Sequence, residues 1–237
     1  MTWPERVDRD ARRLAAITAA GLLAGLLVGG VVGRLAMMLL AVRNPGANGM
    51  ISDDGFRIGQ LTMSGTLNLL AITTLIGVVG GAIYLVLRHL AVGPPSFRLL
   101  SISGGAAVVV GSMLVHADGV DFTVLGPAPL AIALFVAIPF GYVALLMWLG
   151  ERLLAPGSWF TRAPTVLALL PLLAWIPLLP LVPVLVGGWL VREGVRQTGP
   201  GAAMLRHPVT SWTWRLLLAA LFAAALVDLI RDVATLT

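Results

Sequence analysis

Leu14-Ala-Ala-Ile-Thr-Ala-Ala-Gly21-Leu-Leu-Ala-Gly25-Leu-Leu-Val-Gly29-Gly-Val-Val-Gly33-Arg34-Leu-Ala-Met-Met-Leu-Leu-Ala-Val42 is the stretch that decides the fold. It carries one charge, and it exceeds the ~20 apolar residues a helix needs to cross ~30 Å of hydrocarbon. The residues before it, 1–13, are amphiphilic and hold Arg6, Arg9, Arg12 and Arg13. A twin arginine ahead of an apolar stretch can open an export signal. This run is longer than a signal core and ends without a small-x-small site, so an uncleaved first transmembrane helix is expected.

Five more apolar runs follow, at 69–87, 99–115, 130–149, 166–191 and 212–230. With 58% hydrophobic and 11% charged residues and a mean hydropathy of +0.95, the chain is too apolar for a water-soluble domain. The expectation is all-α: a polytopic helical membrane protein of about six segments, forming one integral membrane domain over 1–237. All 16 basic residues are arginines, and all but Arg34 flank the apolar runs rather than interrupt their middles. The net charge of +5 therefore reads as topology signals and contacts to anionic membrane lipid, not as a nucleic-acid surface. The absence of lysine and cysteine removes Schiff-base cofactors, phosphate-loop lysines, thiolate metal sites and cysteine nucleophiles. No cofactor is expected, and no catalytic motif of useful specificity occurs.

With the N-terminus in the cytoplasm of a bacterial inner membrane, Arg6, Arg9, Arg12, Arg13, Arg88, Arg98, Arg152, Arg162 and Arg231 fall inside, while the first two external loops hold only Arg43 and Arg57. That is the usual positive-inside bias. It fails after the fifth run, because six crossings would put Arg192, Arg196, Arg206 and Arg215 outside. The fifth run also contains Pro171, Pro177, Pro180 and Pro183, each of which removes a backbone donor and bends a helix. Six crossings with both termini inside is the simpler reading; the competing one makes 166–191 a re-entrant hairpin that returns to the cytoplasm.

Gly21, Gly25, Gly29 and Gly33 recur every four residues and predict a small-residue stripe on the first helix. In lipid, close backbone packing replaces the hydrophobic drive for association. Gly77 and Gly81, with Thr73, make a matching stripe on the second helix, and Ala107 with Gly111 a shorter one on the third. Helices one to three are expected to pack at these faces within the chain; a seam with a second copy or another membrane protein is the alternative. Arg34 follows the last glycine of the stripe. At membrane depth a charge costs at least ~2 kcal/mol unless it is paired or reaches the interface. It is therefore either a structural charge or a contact for an anion or substrate, with Asp53, Asp54, Asp118 and Asp121 as candidate counter-charges.

Two external loops each hold an Asp-Gly pair that favours a tight turn, and a short cap of two hairpins over the outer face is one expectation. His116, Asp118 and Asp121 form an H-x-D-x-x-D pattern whose side chains suit zinc or manganese, although the spacing matches no specific metal motif. The leading functional reading is a membrane protein that handles a small ion or solute at a polar ligand site made by Arg34, Asp53, Asp54, Asp118 and Asp121. The alternative is a non-catalytic assembly protein packing through its glycine stripes. A lipid-modifying enzyme, using His116 and the aspartates in a lateral cleft, comes third.

Overall fold

The first apolar run is one long helix that changes its winding partway. In a computed structural model, which describes residues 3–53 and 55–236, α1 (Trp3–Ala24) passes into a π-helical stretch, Gly25–Val32, and then into α2 (Gly33–Arg43). The remaining elements are α3 (Met63–Leu87), α4 (Pro95–Leu114), the single turn α5 (Val120–Thr123) and α6 (Ala128–Leu153). They are followed by the short α7 (Trp159–Arg162) and α8 (Thr165–Leu169), a 3₁₀ stretch Leu170–Leu181, α9 (Val182–Gln197), α10 (Gly199–Arg206) and α11 (Pro208–Leu236). The described residues contain no strand, and the chain is all-helical. Among the described residues, five helical segments are long and apolar enough to cross a membrane: Trp3–Arg43, Met63–Leu87, Pro95–Leu114, Ala128–Leu153 and Thr165–Gln197.

The first four run antiparallel in turn. α1 lies against α3 so closely that a Cβ on Gly21 would strike the Gly77 carbonyl oxygen, and one on Gly25 the Thr73 carbonyl oxygen. A Cβ on Gly81 would sit 2.9 Å from the carbonyl oxygen of Ile17. The Tyr142 hydroxyl of α6 donates to the Gly77 carbonyl at 2.9 Å, so three helices meet at this glycine. Ile17, Ala20, Ala24, Tyr84, Leu146 and Met147 form the buried core around that crossing. We call the end of the bundle where α1 starts the near end, and the end where α2 stops the far end.

The fifth apolar segment does not run the length of the bundle. Its start is at the near end, where the Arg12 guanidinium donates to the carbonyls of Phe160 and Ala163 at 3.0 and 2.9 Å and to the Thr165 hydroxyl. Trp175 then reaches further along α1, and its indole N–H donates to the buried Thr18 hydroxyl at 3.0 Å. The backbone leaves helical geometry at Leu178 (φ −102°, ψ 17°), between Pro177 and Pro180. Beyond that point the chain is back at the near end: Trp189 donates to Asp10 at 3.1 Å, its ring lies 5.4 Å from that of Trp3, and Glu193 pairs with Arg6 at 3.5 Å. Thr165–Gln197 is thus a hairpin whose two arms both end beside the first turns of α1.

α11 runs the whole length. Near its start the Arg215 Nε donates to the Leu90 carbonyl at 3.1 Å, at the near end. Further along, Leu229 packs against Gly111 of α4, and it shares a far-end core with Leu40, Val115, Phe122 and Leu125. The segment that breaks the expected alternation is therefore the proline-rich one, and the last helix leaves the chain's end opposite to its start.

Candidate functional site

The π-helical stretch sets the geometry of the far end. Bonding from residue i to i+5 winds more residues into each turn than the 3.6 of an α-helix, so a four-residue repeat no longer stays on one line. Gly21 and Gly25 meet backbone of α3. The next contact falls across two neighbours: a Cβ on Gly29 would lie 2.9 Å from the Thr73 Cβ, and one on Gly30 2.6 Å from a Leu70 methyl. A Cβ on Gly33, although the residue is buried, would meet no neighbouring element, its only close atom being the Val28 carbonyl oxygen of its own helix at 3.9 Å. Arg34 takes the next place on the line. Its Nη2 donates to the Gln60 carbonyl at 3.1 Å, just before Thr62 caps α3 by accepting from the Gly65 N–H at 3.2 Å.

α3 therefore starts beside Arg34, whereas α6 continues to the far end, where the Asn44 side chain bonds both the N–H and the carbonyl of Gly126 at 3.0 and 2.9 Å. Along the rest of α2, α6 is the long helix with the larger contact among the described residues. The loop before α3 and α2 border a cavity of about 190 Å³. Its charged lining is Arg34, Arg57 and Asp121, and its floor is Met37, Leu125 and Phe135. Asp121 is only 6% exposed. Arg34 and Arg57 form no ion pair with any described residue, and the enclosed Arg34 Nε has no hydrogen-bond partner among the described residues. A guanidinium that no described carboxylate pairs can offer paired N–H donors to a planar or tetrahedral oxyanion.

The two far-end loops do close over one another. The first makes a short hairpin, with an antiparallel bridge between Ile51 and Arg57 and mutual bonds Ser52 N–H to Phe56 carbonyl and Ile58 N–H to Met50 carbonyl at 2.8 and 2.9 Å. The second is not a hairpin. After Asp118-Gly119 the chain turns into α5, whose first amides, on Val120 and Asp121, donate to the two oxygens of the Asp53 carboxylate at 3.0 and 3.1 Å. A carboxylate from another loop satisfies the helix start, and that contact joins the loops.

Of the sequence-derived ligand residues, Arg34 and Asp121 share the cavity, Asp53 holds the loop behind it, and Asp118 is exposed outside it. Asp54 lies outside the described residues. Among the described residues no three His, Asp or Glu side chains are grouped to hold a metal ion; exposed His116 and Asp118 do not converge with buried Asp121, because the turn at Gly119 separates them. Arg57 and Gln60 were not singled out by sequence. Their signal is faint: alternation of Phe56, Arg57 and Ile58 in a short extended segment, with Arg57 on the exposed side.

At the near end, Glu151 accepts from the Tyr84 hydroxyl at 2.8 Å and pairs with Arg88 at 3.2 Å. The His89 imidazole is held below its ordinary range by partial desolvation and then by the charges of Arg88, Arg192 and Arg13. Comparisons with protein-family models, curated proteins and solved structures find no match.

Proposed function

We propose that this chain is a multi-pass membrane protein that binds and handles a small anionic ion or solute in the cavity at Arg34. The observation that carries the reading is the guanidinium of Arg34: held at the cavity wall by Gln60, with its Nε unbonded and no carboxylate partner among the described residues. A charge near membrane depth is costly, and a bound anion offsets that cost. The other two readings have less behind them. Gly21, Gly25, Gly77 and Gly81 face one another inside the chain, so an assembly role draws no support from them. Among the described residues His116 and the aspartates that a lipid-modifying enzyme would use are not grouped.

In this reading α1–α2, α3, α4, α6 and α11 cross the membrane and the proline-rich hairpin enters and returns. The N-terminus is cytoplasmic, in a bacterial inner membrane, and the C-terminus is on the other side. The arginine distribution supports it: Arg192, Arg196, Arg206 and Arg215 join the eight earlier near-end arginines, and only Arg34, Arg43, Arg57 and Arg231 belong to the far half. The positive-inside bias then holds along the whole chain. Native mass spectrometry on gently extracted protein tests the function: the wild type retains an anionic ligand, and folded Arg34→Gln does not. A wild-type chain that carries no anion under these conditions overturns it in favour of an assembly role.

A further inference from the structure

The cavity at Arg34 is bordered by exposed apolar side chains. Its rim on α2 and on the loop before α3 is made by Met38, Val42 and Leu61, and Val42 and Leu61 are 80% and 62% exposed. On the same helix Leu35 and Leu39 are also exposed. In a membrane, side chains of this kind at the end of a crossing helix meet acyl chains rather than water. We infer, resting on the anion reading above, that the anion is the phosphate head of a membrane lipid admitted laterally from the bilayer.

Three features point the same way. The site's cations are both arginines, which match phosphate oxygens in paired hydrogen bonds and are weakly hydrated. The floor of Met37, Leu125 and Phe135 suits the glycerol and first methylenes of an amphiphile; a free hydrated phosphate would give up water there for apolar contacts. The cavity lies where α3 stops short of α6, so a headgroup can enter without leaving its depth in the membrane.

The test is native mass spectrometry in a neutral detergent, with phosphatidylglycerol and sodium phosphate added in parallel to wild type, Arg34→Gln and Arg57→Gln. Arg57 is exposed on its loop and makes no ion pair among the described residues, so its variant keeps the fold even if Arg34→Gln does not. Expected is one retained lipid on the wild type and a loss of roughly tenfold in its affinity in Arg57→Gln, the size of one charge-assisted contact, with phosphate a weak competitor. Arginine-dependent binding of phosphate with no lipid retained would overturn the lipid assignment and leave the anion site standing. Lipid binding indifferent to both substitutions, or no binding of either probe, would overturn both.

Discussion

Gly77 is the residue on which the bundle closes: Gly21 approaches its carbonyl oxygen from one helix and the Tyr142 hydroxyl bonds the same atom from another. A methyl here meets backbone that cannot yield. Gly77→Ala is expected to lower stability by about 1–3 kcal/mol, measured as a fall in the thermal unfolding midpoint in detergent. Gly33→Ala sets the contrast. Space is open at Gly33 and alanine favours the helix, so this variant should be neutral or more stable by up to ~1 kcal/mol. The two glycines look alike in sequence, each a step in a four-residue stripe. What separates them is the π-helical stretch, whose winding depends on how α1 seats on α3 and leaves no mark in composition. Arg34 was legible as an out-of-place charge, but its partner was not, since the Gln60 group it meets is a backbone carbonyl. At the near end His89 offers a further check. Positive neighbours disfavour protonation, so Arg192→Gln should move the imidazole midpoint upward in an NMR titration; an unchanged midpoint would place Arg192 elsewhere.

At the scale of elements, the proline-rich hairpin is where hydropathy misleads. An apolar run reports that a segment avoids water and is silent about its direction, so 166–191 reads as one more crossing. The prolines and the misplaced arginines were the two legible signs of a reversal, and the contacts of Trp175 with Thr18 and of Trp189 with Asp10 give it its depth. The chain has no cysteine, so single cysteines can report sidedness directly. Thr161→Cys and Thr198→Cys, both at exposed positions, should react with an impermeant maleimide from the same face of the membrane, and Asn48→Cys from the other. Reaction of positions 161 and 198 from opposite faces would turn the hairpin back into a crossing. Trp175→Phe keeps the ring and leaves the buried Thr18 hydroxyl without its donor, at a cost of about 1 kcal/mol in unfolding. The far-end loops were half legible. Both carry an Asp-Gly turn, yet only the first has residues on each side of its turn that pair; in the second, Val120 and Asp121 find a distant carboxylate in Asp53 and coil instead.

For the molecule as a whole, the proposed topology makes the number of crossings odd and separates charge by face. The near end holds twelve arginines against Glu5, Asp8, Asp10, Glu151 and Glu193, while Asp53, Asp118, Asp121, Asp228 and Asp232 outnumber the arginines of the far half. A reporter fused after the last residue is therefore expected on the face opposite to an N-terminal one. In that topology the end of α11, with Asp228, Arg231 and Asp232, is carried across the membrane, and its net charge is negative. An energised inner membrane is electrically negative on its cytoplasmic side, and one elementary charge moved through 100 mV changes by about 2.3 kcal/mol. That voltage pushes the acidic tail outward and holds the arginine-rich face in place, so cells whose membrane potential is collapsed during synthesis should leave a larger share of C-terminal reporter on the inside.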